Sequence, residues 1–340
     1  MPSLTLEDIA KKAGVSRATV SRVVNHRTNV NEDVRERVLE IIRQTGYYPH
    51  AAAQTLASQR SSTLGLILPH SVSLLFTDPY YSHFTKGVSQ ACNQHDYTLA
   101  LFLVQNKEDE LKIFPRLARP GMLDGVILQS GHHGDQSLIG RMVDANMPVV
   151  MIGRPFLAPN VSYIDVDNVN AAYSAVAHLM RQNRQRIATI TGPLASTAGV
   201  DRLAGYRKAF EDRGQSVRES LIAEGDFTEV GGYYAMQRLF PAQPDAVFAA
   251  SDIMAAGAMR AVLEAGLRVP EDIAFVGFDD LPVTSLVNVA LTTVRQPVVQ
   301  LGVQAVELLL DVIENGATPP RRIIIDTELV IRESCGASRR

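Results

Sequence analysis

The chain has only two cysteines, Cys92 and Cys335, and its longest apolar runs are far too short to span a membrane. Two isolated cysteines indicate reduced thiols, not a disulfide framework. A membrane-spanning helix needs about 20 apolar residues, and a signal peptide needs an apolar segment near the N-terminus. We therefore predict a cytoplasmic protein with no membrane partner.

The sequence also lacks the usual signatures of enzymes. It contains no Gly-x-Ser-x-Gly elbow, no His-Glu-x-x-His, no Walker-type loop and no dinucleotide-binding fingerprint. The adjacent His132 and His133 suggest a metal site, but no Cys or Glu follows at ligand spacing, so a polar loop is favoured. We predict no enzyme activity, no catalytic residue, no cofactor and no metal.

Charge is unevenly distributed along the 340 residues. Residues 1–60 hold nine Lys and Arg against six Asp and Glu, a net charge of +3, and the remaining residues hold 24 against 30, a net charge of −6. A basic head on an acidic body is compatible with nucleic acid bound at one end.

Residues 4–25 predict two short helices joined by a tight turn. In the first, Thr5 is placed to cap the helix, Asp8 lies three positions later, and Gly14 ends it. In the second, Ser16 is the cap. The first helix has one apolar face of Leu6, Ile9, Ala10 and Ala13, and the second an apolar stripe of Val20, Val23 and Val24. The opposite face of the second helix has cations and small polar groups but no acid, as a helix in the major groove requires: Arg17, Ala18, Thr19, Ser21, Arg22 and Asn25.

A third helix is predicted from Asn31 to Gly46, and it can share one small core with the first two. Residues 50–63 contain good helix formers but a single large apolar side chain, Leu56. The segment could be a plain linker or a helix that forms only when something stabilises it.

The first 60 residues resemble the DNA-binding headpiece of the lactose-repressor family of bacterial transcription regulators. The motifs Asp-Ile-Ala, Ala-Gly-Val-Ser, Thr-Val-Ser-Arg-Val-Val-Asn, Gly-Tyr-Tyr-Pro and Ala-Gln-Thr-Leu-Ala occur in the family's order. The resemblance implies a helix-turn-helix domain over residues 1–49 and a hinge helix and linker over residues 50–63. Leu56 would then wedge into the minor groove when two subunits dock on an operator. The implied DNA contacts are Thr5, Ser16, Arg17, Ala18, Thr19, Ser21, Arg22, Asn25, Tyr47, His50, Ala53, Gln54 and Leu56, with His50 where the family usually has Asn.

From residue 64 onward, short apolar runs alternate with helical stretches. This alternation predicts a doubly wound α/β architecture, and its length favours two subdomains. Segments 161–167 and 291–297 are predicted to cross between them. We expect buried parallel strands at 64–68, 98–104, 125–128, 148–152, 187–191, 246–249 and 273–278.

The resemblance to the family extends to this part through motifs such as Asp-Arg-Leu-Ala-Gly-Tyr at 201–206 and Val-Gly-Phe-Asp-Asp at 276–280. It implies a periplasmic-binding-protein-like effector core over residues 64–335, with a third crossing near 325–330 and two subdomains that are discontinuous in sequence. The predicted fold class is thus α/β: an all-α helix-turn-helix headpiece followed by a doubly wound core of two subdomains.

Polar and aromatic residues stand at several predicted strand ends, where a doubly wound sheet binds its ligands. They are Tyr80, Tyr81, Arg154, Arg202, Phe227, Ser251 and Asp279. Arg with Asp can make charge-assisted bonds to adjacent hydroxyls, and aromatic rings can cover the C–H faces of a sugar. We expect one of the two tyrosines to face the ligand and Arg202 to open a helix. Phe76 could contact the ligand or only close its own loop.

The resulting functional prediction is a repressor that binds a near-palindromic operator as a homodimer and releases it on binding a small saccharide or oligosaccharide. A purine or a phosphoprotein corepressor is the alternative within the family. A solute-binding protein is a different class, and the headpiece opposes it. A dimer is expected because little sequence remains after residue 334 for a tetramerisation tail.

Overall fold

The computed structural model describes residues 4–24, 29–47, 60–68, 72–129, 136–156, 160–282 and 289–337, without the side chains of 72–74, 136 and 137. The chain divides into two compact units, residues 1–62 and 63–340. Residues 50–59 of the predicted hinge helix and linker, Asn25 and the pair His132 and His133 lie outside the described residues.

The described residues of the first unit form three helices, α1 (Leu6–Ala13), α2 (Arg17–Val24) and α3 (Glu32–Thr45). A reciprocal capping box begins α1: the Asp8 amide donates to Thr5 Oγ1 at 3.3 Å, and the Thr5 amide donates to Asp8 Oδ2 at 2.9 Å. Gly14 ends α1 with a φ of 66°, which glycine adopts without strain. The three helices bury one small core of Ile9, Ala10, Ala13, Val20, Val23, Val38 and Tyr47.

The second unit contains two six-stranded sheets. The first has the order β11-β5-β4-β3-β1-β2 and is parallel. The second has the order β12-β10-β9-β8-β6-β7 and is parallel except for its edge strand β12. The strands are β1 (Thr63–Leu68), β2 (Thr98–Leu103), β3 (Gly125–Gln129), β4 (Val149–Ile152), β5 (Ser162–Val166), β6 (Ile187–Thr191), β7 (Ile222–Glu224), β8 (Ala246–Ala249), β9 (Ala274–Asp279), β10 (Thr292–Arg295), β11 (Arg322–Ile325) and β12 (Glu328–Val330).

Helices cover these sheets. They are α4 (Val72–Thr77), α5 (Pro79–Gln94), α6 (Lys107–Leu117), α7 (Gln136–Asp144), α8 (Asn168–Arg181), α9 (Thr197–Glu211), α10 (Glu229–Leu239), α11 (Asp252–Glu264) and α12 (Val298–Asn315). Within the described residues, none of the helices is long and apolar enough to cross a membrane.

Each sheet with its helices forms a subdomain. The first subdomain holds β1–β5 and β11, and the second holds β6–β10 and β12. The chain passes between them after β5, after β10 and after β11, because α12 packs on the first sheet although it follows β10 of the second. Neither subdomain is continuous in sequence. The predicted fold class, a helical headpiece with a two-subdomain α/β core, is confirmed.

Several local predictions need correction. The strand predicted at 98–104 is not buried, because β2 is the outer strand of its sheet and its side chains are exposed or half-buried. The predicted crossing segments 161–167 and 291–297 also contain the strands β5 and β10. Arg202 does not open a helix: α9 begins at Thr197, where the Ser196 hydroxyl caps it by accepting from the Gly199 amide at 3.1 Å.

Two glycines bring α5 close to α12. A Cβ on Gly87 would overlap the Val299 carbonyl oxygen, and a Cβ on Gly302 would overlap the Phe84 carbonyl oxygen. The helices therefore touch backbone to backbone at this crossing. This contact holds the start of α5 beside the start of α12, and both helix starts contribute to the site described next.

Candidate functional site

A cavity of about 240 Å³ lies between the two subdomains, at the carboxyl ends of their strands. This is where open α/β sheets bind ligands. The first subdomain contributes Asp78, Tyr80, Tyr81, Gln129, Ile152, Gly153 and Asp165. The second contributes Asn168, Pro193, Ser196, Thr197, Ala198, Arg202, Asp226, Phe227, Ser251 and Asp279, and Gln296 and Leu301 come from the crossing before α12 and from α12 itself.

Arg202 is the central cation of this cavity and is 5% exposed. Its Nε donates to Asn168 Oδ1 at 2.8 Å, and its Nη1 donates to the Ala250 carbonyl oxygen. The guanidinium lies over the Phe278 ring at 3.5 Å from the centroid. These contacts hold the planar group in one orientation, as bidentate recognition by an arginine requires.

Asp279, at the end of β9, lies opposite Arg202 with 3.7 Å between Oδ1 and Nη1. Gln296 Nε2 donates to the same Oδ1. Burial raises the pKa of Asp279 well above its usual range and lowers the pKa of Arg202, while the charge of each partner opposes the shift of the other. Both side chains are thus shielded from water at the cavity wall, where Asp279 offers hydrogen-bond acceptors and Arg202 offers donors.

Three aromatic rings of the described residues line the cavity. Tyr80 and Tyr81 lie edge to face with 5.5 Å between ring centroids, and both reach the cavity, whereas one alone was expected to face a ligand. Phe227 has a φ of 59° and packs so closely on Gly192 that a Cβ there would overlap its ring. A non-glycine residue in this backbone conformation is uncommon and often marks a functional position.

Besides Ser196, which caps α9, two other cavity residues cap helices. Ser251, 3% exposed, accepts from the Met254 amide at 3.3 Å and begins α11. Asp78 Oδ1 accepts from the Tyr80 amide at 2.9 Å and begins α5. Burial raises the pKa of Asp78 to about 6, and the bond from Tyr80 opposes this rise.

Gln129 and Asp165 line the cavity and were not predicted as site residues. Gln129 ends β3, is 7% exposed, and its buried Oε1 has no hydrogen-bond partner among the described residues. Asp165 accepts from the amides of Arg154 and Val166, both at 2.8 Å, and from Asn168 Nδ2 at 3.0 Å. The only sequence signal for Gln129 is a polar residue at the end of an apolar strand.

Two candidate ligand contacts are not among the residues that line the cavity. Arg154 instead pairs with Asp201, with 2.7 Å between Nη2 and Oδ1. Phe76 is 81% exposed and lies outside the cavity.

The lining residues are rich in carboxylates. Asp78, Asp165, Asp226 and Asp279 face a single lining cation, Arg202, in the part of the chain that the structure describes. Asp78, whose pKa is about 6, is ionised at neutral pH, so its charge opposes the binding of an anionic ligand, and the carboxyl oxygens of the lining favour groups that donate hydrogen bonds. The described residues contain no cluster of His, Cys, Asp and Glu that could hold a metal ion.

In the headpiece, α2 presents a surface with two cations and no acid. Arg17, Ala18 and Arg22 are exposed, and Thr19 and Ser21 are half-buried. The Thr19 amide donates to Ser16 Oγ at 3.1 Å, so Ser16 begins the helix as expected from its position. Tyr47, also a predicted DNA contact, is 5% exposed and packs in the headpiece core. Asn25, His50, Ala53, Gln54 and Leu56 lie outside the described residues.

Comparisons with known proteins agree with both parts of the chain. Residues 5–50 match the model of bacterial regulatory proteins of the lacI family, and residues 176–335 match a periplasmic binding protein-like domain. The transcriptional regulator CelR of Thermobifida fusca is 39% identical over 335 residues, which are 97% of this chain and 98% of the relative.

Two solved structures are similar over nearly the whole chain. A CelR–cellobiose complex has a TM-score of 0.77 at 37% identity and covers 97% of this chain and 99% of its own. The lac repressor dimer bound to operator and the anti-inducer ONPF has a TM-score of 0.85 at 29% identity and covers 98% of this chain and 100% of its own. The relatives of the present chain are transcription regulators, not enzymes. The chain belongs to the lacI family of bacterial regulatory proteins.

Proposed function

We propose that this protein is a cytoplasmic transcription repressor whose affinity for its operator is controlled by a neutral saccharide. The observation that carries the proposal is the buried, carboxylate-rich cavity between the two subdomains, on a chain that begins with a helix-turn-helix headpiece. The headpiece provides sequence-specific DNA binding, and the cavity provides a place where a small molecule can change the relative position of the subdomains.

On the DNA side, α2 is the recognition helix. Its exposed Arg17 and Arg22 can reach guanine edges in the major groove, and its hydroxyls can bind phosphates. One such helix contacts only a few base pairs, so a homodimer on a near-palindromic operator supplies enough contacts. The lac repressor structure named above is a dimer on its operator, which supports the same arrangement here.

On the ligand side, the lining favours a neutral saccharide. Arg202 can donate two parallel bonds to neighbouring hydroxyls, and the carboxylates can accept hydroxyl protons. The rings of Tyr80, Tyr81 and Phe227 supply flat surfaces for sugar C–H groups. Sugars that carry phosphate or carboxylate groups are disfavoured by the excess of lining acids. Cellobiose is the first compound to test, because CelR forms a complex with it.

A ligand that contacts both subdomains stabilises one relative orientation of them. If operator binding requires another orientation, ligand and operator each weaken the binding of the other by the same factor, as thermodynamic linkage demands. We therefore propose that the saccharide acts as an inducer.

Two measurements on the purified full chain test the proposal. Selection from random double-stranded DNA is expected to enrich a near-palindromic site, and failure to enrich any such site would contradict the DNA-binding part. Operator titrations with cellobiose, other neutral disaccharides, monosaccharides, a sugar phosphate and a purine then test the ligand. Weaker operator binding with a neutral sugar alone supports the proposal, whereas a response only to the phosphate or the purine contradicts it.

A further inference from the structure

Hydrogen bonds of its own amide and of the preceding amide fix the backbone of Arg154 beside one wall of the cavity. Gly153 turns the chain after β4 with a φ of 86°, and its amide donates to the Ile164 carbonyl oxygen at 2.9 Å. The Arg154 amide donates to Asp165 Oδ2 at 2.8 Å. The base of the Arg154 side chain is therefore tied to β5 of the first subdomain.

The guanidinium of Arg154 reaches the second subdomain. Its Nη2 lies 2.7 Å from Asp201 Oδ1 and its Nε lies 3.3 Å from Asp201 Oδ2, a two-bond pair with side chains that are 41% and 17% exposed. Asp201 is on α9 and directly precedes Arg202, which is itself anchored to Asn168 and to the Ala250 carbonyl oxygen.

Both ends of this pair are thus held by backbone or buried contacts. An ordinary surface ion pair is weak, in part because two long side chains must be ordered to form it. Here Asp201 is short and sits on a helix, and the Arg154 backbone is already fixed, so less freedom is lost. Two-bond Arg–carboxylate geometry strengthens the contact further.

The location of the pair distinguishes it from the crossing segments. The three crossings join the subdomains through continuous backbone, about which a rotation can occur, whereas the Arg154–Asp201 contact breaks when the subdomains separate. Asp165, whose carboxylate accepts the Arg154 amide, and Arg202, the neighbour of Asp201, both line the cavity. The pair consequently links the two walls of the cavity without lining it.

We infer that Arg154 is a positioning residue: its pair with Asp201 holds the two subdomains closed around the cavity and so sets the distance between Arg202 and the opposite wall. The residue acts through the relative position of the subdomains and not by contact with the ligand. This inference does not depend on which ligand binds the cavity or on operator binding, so it stands or falls separately from the proposed function.

The test is the distance between two spin labels in the ligand-free, full-length chain. Asp144 on α7 and Glu211 on α9 are exposed helical positions on different subdomains, so D144C and E211C can carry the labels. The native cysteines Cys92 and Cys335 are buried. Dilution with an excess of unlabelled chain ensures that each measured distance lies within one subunit.

In this labelled background, Arg154→Met is expected to raise the fraction of molecules with the longer distance between the two labels roughly two- to tenfold. High salt should raise it in the wild-type background but have little effect in R154M, because salt screens the charge pair. The exchanged pair R154D/D201R is expected to return the distribution toward that of wild type.

The matched control is Arg207→Met. Arg207 makes a similar two-bond pair with Glu219, at 2.7 and 3.0 Å, but both residues belong to the second subdomain. R207M should leave the distance distribution unchanged. Thermal unfolding of each variant confirms that it is folded, and if R154M is not folded then D201N, which keeps the side-chain shape, replaces it. An unchanged distribution in the folded variant, an equal change in R207M, or no recovery in the exchanged pair would overturn the inference.

Discussion

Asp78 should make the ligand-free protein less stable above pH 6 than it would be with asparagine at that position. Folding raises the pKa of this carboxyl from 3.8 to about 6, chiefly because the group is buried at the cavity wall. Between these pH values the folded chain binds more protons than the unfolded chain. Stability therefore falls as the pH rises through this window.

The magnitude follows from the size of the shift. This pKa difference between the folded and the unfolded chain lowers the free energy of unfolding by about 3 kcal/mol near pH 8, where the carboxyl is fully ionised. At pH 4 it lowers the free energy of unfolding by about 0.6 kcal/mol. Asn at the same position keeps the capping acceptor for the Tyr80 amide, because Asn and Asp are similarly good at the start of a helix. The substitution thus removes the titrating charge and retains the cap.

We expect Asp78→Asn to raise the free energy of unfolding by roughly 2–3 kcal/mol at pH 8 and by less than about 1 kcal/mol at pH 4. Urea unfolding of the ligand-free chain at pH 4, 6 and 8 measures this difference. Asp167→Asn is the control, since Asp167 also caps a helix, through the Asn170 amide, but is not a cavity residue. A gain for D78N that is the same at all three pH values, or a loss at pH 8, would refute the reasoning.

The remaining predictions concern the two binding functions. Arg22→Ala should relax base preference at one operator position and cost about 1–3 kcal/mol in specific binding, measured by titration of single-base operator variants; an equal loss on all sequences would assign Arg22 to phosphate contact instead. Leu56→Ala should weaken specific binding and leave salt-dependent binding to random DNA nearly unchanged, and parallel losses on both DNAs would argue that Leu56 is part of a plain linker. Asp279→Asn should remove the operator response to an active sugar while operator binding in its absence persists, and a normal sugar response would exclude Asp279 from the ligand contacts. Gln129→Leu should weaken the binding of that sugar, measured by calorimetry, by about 1–3 kcal/mol, because the hydroxyl of the ligand that donates to Oε1 loses its acceptor. Unchanged affinity would show that no donor of the ligand reaches Oε1.

The sequence predicts the elements that have a strong apolar pattern. Strands β1, β3, β4, β6, β8 and β9 are mostly apolar and almost entirely buried because they are covered on both sides. β11 alternates between exposed and half-buried residues, and β7 and β12 have three residues each, so the pattern of a buried run is missing in all three. The start of α9 was misplaced because its first turn contains Gly199, which contacts the Pro193 backbone closely.

The site could be predicted only where the type of residue carries the signal. Arg202, Phe227, Ser251, Asp279 and the tyrosines line one cavity, in keeping with their positions at or near strand ends. Gln129 also ends an apolar strand, but its role depends on a side-chain oxygen that has no hydrogen-bond partner among the described residues, and the sequence does not report this. The contact of Arg154 with Asp201 joins residues 47 positions apart and depends on how the two subdomains close, which periodicity and spacing do not report.

The order of strands has a consequence for how the chain folds during synthesis. The sheet of the first subdomain needs α12 on one face and β11 at its edge, and both are translated after nearly all of the second subdomain. Until then, the strands from β1 to β5 lack the apolar cover that Leu301, Leu308 and Leu309 supply. The N-terminal half therefore cannot complete its core while the ribosome is still making the C-terminal half, and release of a prematurely terminated chain would expose aggregation-prone strands. Both subdomains depend on the last hundred residues to complete their sheets. The two subdomains should therefore fold and unfold together as a single cooperative unit.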